Sequence, residues 1–519
     1  IPLYFAESST QFLLNMRYYI YMKRLFLILL IISLFSIIYS RVAFSDDLQD
    51  GLYSLKAKDY DSAYKILYPL AKQGNALAQL FVATMYDKGQ SVPVNKTEAA
   101  KWYRLSAEQG TPLSQLFLGK MYYLGKGVQQ DYSESFKWFN LSSKADLKEA
   151  QYNLAVMYFK GQGVDQSYKK ALELYYLLSI QKHAKASYNL GLMYFKGQGT
   201  KQDYNEAFKW FEISSEQGII PAQYNLGYLY DQGKGVSQDC KKAFHLYQLS
   251  AQQGNGLAQA NLGLMYSLGK VVNKNYKDAT NWFKLSAEQG IKEGQLNLGT
   301  MYQEGHGVPK DYIEAVKWYQ LSADQGLKEG QTSLGLMYES GKGVLQNYKE
   351  AIKWFNLSAK QGSMEAQLNL GVMYQKGNGV PQDSSKAAKW FKLSADQGFA
   401  IAQYNLGLMY HMGTGVPQDF NEAVNWYKLS ADQGYNSAQL SLGRLYASGK
   451  LGTKDYISSY KWFSMASIQG DKGADIYISK LENILSASEI EKAKKMTKSQ
   501  SLKTSNFQKS KACTHQPSF

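Results

Sequence analysis

The stretch Ala-Gln-Tyr-Asn-Leu-Gly-Leu-Met-Tyr at 402–410 recurs, with small changes, down the whole of this 519-residue chain. So does Glu-Ala-Val-Lys-Trp-Tyr-Gln-Leu-Ser-Ala-Asp-Gln-Gly at 314–326. Let n be the Met or Leu just before the final tyrosine of the first string. It falls at Met85, Met121, Met157, Met193, Leu229, Met265, Met301, Met337, Met373, Met409 and Leu445, always 36 residues apart. A fixed period of that length marks supersecondary units that stack because none can bury its apolar face alone.

Each unit reads as two helices. The first, helix A, runs from about n−8 to n+3 and stops at a glycine at n+4 in every unit, from Gly89 to Gly449, where a left-handed cap favours that residue. A short loop, usually Gly-x-Gly-Val, leads to Asp, Asn or Ser at n+10 in all eleven units. Those side chains accept the unpaired N–H groups at a helix start, so helix B begins there. Glu follows three residues later in six units (Glu98, Glu134, Glu206, Glu314, Glu350, Glu422), which reads as a capping box. Helix B ends near n+24 at a Gln-Gly turn such as Gln289-Gly290. The Gly-x-Gly loop is no phosphate cradle: no strand precedes it and no Lys-Ser/Thr closes it.

All nine tryptophans stand at n+17 (Trp102, Trp138, Trp210, Trp282, Trp318, Trp354, Trp390, Trp426, Trp462), with Leu174 and Leu246 in the other two units. A single phase with an aliphatic substitute points to core filling, since packed interiors tolerate little volume change. Position n−7 is always Ala, Ser or Gly and n−2 is Gly or Ala. Glycine inside a helix costs about 1 kcal/mol relative to alanine, so close packing must offset it. The expected fold is all-α, an α/α superhelix of eleven 36-residue repeats over 78–470. A capping half-repeat with a worn first half occupies 46–77, capping helices occupy 471–496, and 497–519 reads as a basic disordered tail.

Composition closes off other classes. The chain is 45% hydrophobic and 14% aromatic, too apolar to be disordered throughout. Its two cysteines, Cys240 and Cys513, exclude a disulfide framework and cysteine-based zinc or iron–sulfur centres, so stability is expected from packing rather than bridges. The five histidines are scattered, and no metal or cofactor is expected. Residues 1–45 hold four basic residues against Glu7, and residues 492–519 hold seven lysines and no acid, which leaves the 446-residue body only +5 of the net +15. A nearly neutral body is a poor footprint for nucleic acid.

Met22-Lys23-Arg24, the apolar run Leu25–Tyr39 and Ala43-Phe44-Ser45 fit a secretory leader over 22–45, cut near Ser45. Residues 1–21 then read as a misassigned start. The apolar run is short for a bilayer span, which needs about 20 residues; an uncleaved anchor is the alternative. The mature chain is expected in the periplasm or secreted, as a monomer. Three Asn-x-Ser/Thr sequons occur, at Asn95, Asn140 and Asn356; two fall inside second helices and read as accidental.

The strings at 402–410 and 314–326 make the chain resemble the Sel-one-like repeat family, relatives of the tetratricopeptide repeats, over about 50–492. The resemblance implies stacked antiparallel helix pairs acting as an adaptor for a protein or extended peptide, at a bacterial envelope or host interface. It implies no enzyme. One branch of the family carries a cysteine pair per repeat and is linked to β-lactams or the cell wall. This chain lacks those cysteines, and that activity stays only as the alternative.

By the same resemblance the concave face is built from n−5, n−4, n−1, n+2 and n+3. Position n−4 is a row of asparagines, among them Asn153, Asn189, Asn225, Asn261 and Asn297. Such amides offer donor and acceptor to a peptide backbone, or they are spent on the neighbouring helix. Tyr123, Phe159 and Phe195 at n+2, Tyr152 and Tyr188 at n−5, and Tyr228 at n−1 would add an aromatic patch on repeats 2 to 5, of the kind that marks interaction sites. The rival reading is that neighbouring helices cover these rings.

Overall fold

The computed structural model describes residues 46–507 and Cys513. The leader and the upstream start therefore lie outside the described residues. All regular structure among the described residues is helical, and the chain divides after Gln181 into two bodies.

The first body opens with helices Asp46–Ala57 and Tyr60–Lys72, followed by three hairpins. The supposedly worn half-repeat is thus a complete pair: Leu48 on its first helix is buried with Leu67 on the second. The second body holds eight hairpins, from Ala184–Lys196 with Tyr204–Glu216 to Asn436–Ser448 with Tyr456–Ile468. Lys472–Glu482 and Ala487–Phe507 close it. This last helix continues well past residue 496, into the region read as disordered. Ala493 is buried with Phe463 and Leu481. Gln500 Nε2 donates to Asp432 Oδ1 at 2.9 Å, carrying the last helix across to repeat 10.

Helix boundaries follow the caps. Asp203 Oδ1 accepts the N–H groups of Asn205 and Glu206 at 2.8 and 3.1 Å, satisfying donors that a helix start leaves free. Its own N–H donates to the Tyr194 carbonyl at 3.0 Å. That donor being taken, the capping box is only half built. Glu206 accepts instead from the indole N–H of Trp210 at 2.9 Å, and Glu134 from Trp138 at 3.0 Å.

The centre of each hairpin is the residue after the tryptophan. Position n+18 is Phe or Tyr in all eleven repeats, and Phe139, Tyr175, Phe211, Tyr247 and Phe283 among others are almost wholly buried. The ring lies on the bare n−2 position of helix A: a Cβ on Gly191 would press into Phe211. The tryptophans bridge neighbouring repeats, as Trp138 does when it packs with Tyr103 and Leu118. Trp138, Trp210, Trp354 and Trp462 are buried; Trp102, Trp282, Trp318, Trp390 and Trp426 are partly buried.

A polar seam joins the stack. Gln289 Nε2 donates to Gln259 Oε1 at 2.7 Å, and Gln259 Nε2 donates to the Ala251 carbonyl at 3.1 Å, tying repeat 6 to the end of repeat 5. The same chain of amides runs through Gln325–Gln295, Gln361–Gln331 and Gln397–Gln367. Ser286 Oγ donates to the Gly256 carbonyl at 2.7 Å and closes its own hairpin. Repeat 3, last in the first body, has Leu178 where that serine stands in most repeats. The Gln-Gly turn is lost there too, so that Lys182 takes a left-handed φ of 59° at some cost in strain.

The two cysteines correct a sequence expectation. Cys240 and Cys513 are joined in a disulfide, 273 residues apart and both in the second body. Spacing alone could not reveal it, because the two residues are far apart in the chain.

Candidate functional site

Helix A turns n−3 and n inward, as Leu190, Met193, Leu226 and Leu229 show. That leaves n−5, n−1 and n+2 on another face, and the anticipated residues lie there.

In the first body, Tyr123, Tyr152, Asn153 and Phe159 are all half-buried. Tyr123 OH donates to Gln162 Oε1 at 2.8 Å and receives Lys160 Nζ at 3.4 Å. Its ring meets Tyr132 edge-on at 5.3 Å, and Phe159 meets Tyr168 in the same way at 5.2 Å. Each pair joins the end of helix A to the start of helix B.

In the second body, Phe195 stands edge-on to Tyr204 at 5.4 Å and to Tyr228 at 6.0 Å. Lys234 Nζ lies 5.3 Å from the centre of the Tyr204 ring and 5.4 Å from that of Tyr228, a cation–π arrangement. Tyr188 packs at 6.0 Å on Phe211. These rings stay half-buried, so the core beneath closes without covering them.

The asparagine row is largely structural where the second body shows its bonds. Asn225 hydrogen-bonds Tyr188, and Asn261 hydrogen-bonds both Tyr224 and Tyr247. The tyrosine at n−5 of one repeat thus takes the asparagine at n−4 of the next. Burial pushes the Tyr224 hydroxyl up to about 12 and raises that of Tyr188, so both act as neutral hydrogen-bonding groups. Asn153 in the first body has Leu116 where this tyrosine would precede it, and its Nδ2 is buried without a hydrogen-bond partner. Asn297 is buried, and Asn189 is half-buried with a partner of its own. The signal that finds these pairs is a Tyr at n−5 followed 37 residues later by Asn, read across two repeats.

Sequence reasoning missed a second apolar row. Position n+20 on helix B is Leu in most repeats, and Leu105, Leu141 and Leu177 in the first body and Leu285, Leu321 and Leu357 in the second are 36–50% exposed.

A scan against family models matches the Sel1 repeat eleven times, continuously from 76 to 363 and again from 365 to 471. The chain belongs to the Sel1-repeat family. Among solved structures, a protective antigen of uropathogenic Escherichia coli with an SLR fold is 33% identical, with a TM-score of 0.71, covering 88% of this chain and 98% of that one. A Sel1 repeat protein from Oxalobacter formigenes is 29% identical with a TM-score of 0.43, covering 71% and 93%. The search of curated proteins gave no match. Among the described residues of these Sel1 repeats, no helix is long and apolar enough to cross a membrane, and no group of three or more His, Cys, Asp or Glu is placed to hold a metal ion.

Proposed function

We propose that this Sel1-repeat protein is an exported interaction scaffold that binds an extended segment of a partner protein on the n−5, n−1 and n+2 face of its helices A. One observation carries the reading. The hairpin core is complete at n−3, n and n+18, yet Tyr188, Phe195 and Tyr228 remain only partly buried beside it. Clustered rings with a lysine at hand supply contact area at low entropic cost. The asparagines contribute by fixing the tyrosines rather than by gripping a ligand.

Binding is favoured over catalysis because the recurrent polar groups are already occupied. The Asp and Asn residues at n+10 cap helices, Glu134 and Glu206 hold tryptophans, and the glutamines join repeats. Export is supported by the charged, apolar run at 22–45 and by the disulfide, a bond that persists in oxidising compartments. That the E. coli relative is a protective antigen fits a role at the envelope or host interface.

The test is selection of dodecapeptides from a random display library on the purified chain. Peptides selected on the parent should bind at least tenfold more weakly to the double variant Phe195→Ala/Tyr228→Ala, with helicity and melting unchanged. Equal binding to both would place the interaction elsewhere, for instance on the leucine row of helix B. Loss of folding would show that the rings are core.

A further inference from the structure

Helix B of repeat 3, Tyr168–Ile180, is unlike the others on its solvent side. Position n+19 is polar or charged in every other repeat, and so is n+23 except for Ile468 in repeat 11; repeat 3 has Tyr176 and Ile180 there. Positions n+16, n+19, n+20 and n+23 share one face of a helix, so these two residues join Leu177 of the leucine row. Tyr176, Leu177 and Ile180 are 45%, 50% and 55% exposed, and Leu141 and Leu105 continue the row through repeats 2 and 1. The five side chains leave about 400 Å² of apolar surface in water, as large as the biggest patch on many monomers.

Repeat 1 carries the counterpart on the same row. A cleft of about 420 Å³ opens there, lined by Arg104 and Leu105 of helix B with Thr97, Ala100, Gly127 and Val128. Arg104 is the one arginine at n+19. Its guanidinium lies 5.7 Å from the centre of the Tyr122 ring, donates to that tyrosine's hydroxyl, and has no carboxylate partner among the described residues. One end of the row thus presents bulky apolar side chains, and the other presents a largely apolar hollow with an uncompensated cation.

We propose that the chain forms a two-fold dimer through helices B of repeats 1 to 3, with repeat 3 of each copy seated on repeat 1 of the other. The row matches itself when its order is reversed, as an isologous contact requires. With the two-fold axis parallel to the helices, Leu177 meets Leu105 of the partner copy, and Leu141 meets its own mate at the axis. Tyr176 comes to the cleft beside Arg104 of the partner copy, where the cation takes the face of its ring. Glu173 at n+16 meets Lys101 of the partner copy. Lys137 faces its mate but is already held by Glu134 at 3.2 Å; Lys144 against its mate is a repulsion that salt screens. The size agrees as well. A stable dimer takes about 800 Å² from each partner, some 500 Å² of it apolar, which the five side chains and the stems of the flanking lysines supply. The contact replaces the monomer expected from the sequence and uses no residue of the n−5, n−1 and n+2 face.

The test is sedimentation equilibrium of the full chain, with an added cysteine to read the alignment. The parent should be dimeric at about 10 µM. Leu177→Glu should weaken association at least tenfold with helicity unchanged, and Leu321→Glu, at the same position of a repeat in the second body, should leave it as it is. Leu141→Cys should cross-link to its own mate on oxidation, since the two native cysteines are already bonded to each other; Leu321→Cys should not. A parent that stays monomeric, or a dimer that Leu177→Glu leaves intact, overturns the proposal. A dimer that Leu177→Glu dissolves but Leu141→Cys fails to cross-link overturns the reversed alignment, and with it the seat on repeat 1.

Discussion

Repeats 4 and 5 share a scaffold and differ in what it presents. Both close on a buried ring at n+18, Phe211 and Tyr247, over a glycine at n−2, Gly191 and Gly227. Both open helix B with an aspartate cap, Asp203 and Asp239. At n+2 and n+11, repeat 4 carries the ring pair Phe195–Tyr204, whereas repeat 5 carries the buried Asp231 and Cys240, the latter bonded to Cys513. The fold is held by positions that every repeat needs. The surface sits at positions that a repeat can change without disturbing its neighbours, and function is free to vary there.

The sharpest way to break this division is to attack both layers of repeat 4. Phe211→Ala should cost about 3–5 kcal/mol, as large-to-small changes at buried rings do, and lower the denaturation midpoint accordingly. Phe195→Ala should cost far less and leave far-ultraviolet dichroism unchanged. Equal losses would mean that the n+2 ring is core and that the two layers are one.

Next in size is the bridge, which concerns repeat 5 alone. Its closed loop is long, and cross-links of this kind stabilise by about 2–4 kcal/mol, chiefly through the unfolded chain. Cys240→Ala/Cys513→Ala should therefore lower the stability of the second body in urea by about that amount. A loss confined to the last helix would show that the bridge tethers the tail without bracing repeat 5.

A smaller effect probes the link between adjacent repeats. Tyr188→Phe removes the hydroxyl that pairs with Asn225 and should cost about 1 kcal/mol, a usual net value for one hydrogen bond. The double variant with Asn225→Ala should show non-additivity in a thermodynamic cycle; strict additivity would mean that the pair is not coupled.

The smallest effect depends on pH. Burial holds the Glu339 carboxyl above its usual value of 4.5, with Lys376 pulling it partly back. A carboxyl raised on folding binds its proton more tightly in the native state. It therefore favours folding below about pH 4.5, and that contribution is lost as pH rises through the folded value. Glu339→Gln should be more stable than the parent at pH 7, and the gap should close as pH falls to 4. A gap that widened on acidification would reverse the sign and refute this account of Glu339.

What the sequence made legible was whatever repeats. The period, both helices of each hairpin and all eleven caps at n+10 come from local grammar, because a cap is satisfied within three residues of itself. Tryptophan drew attention at n+17, although the fully buried ring is its neighbour. At n+18 both Phe and Tyr occur, and neither is rare enough in this chain to stand out. The capping box misled because Glu206 has a better partner on its own helix, Trp210, once the cap N–H is donated elsewhere. The asparagines could be placed on their face, but their partners lie one repeat away. Cys240 and Cys513 lay furthest out of reach. They pair across 273 residues, and no spacing between the cysteines foretells it.

The most direct measurement places p-fluorophenylalanine at position 195 of the otherwise unaltered chain and follows its fluorine resonance during titration with a library-selected peptide. The account expects a saturable shift at that one nucleus, at the same peptide concentration that saturates binding. A resonance that stays still while the peptide binds would contradict it.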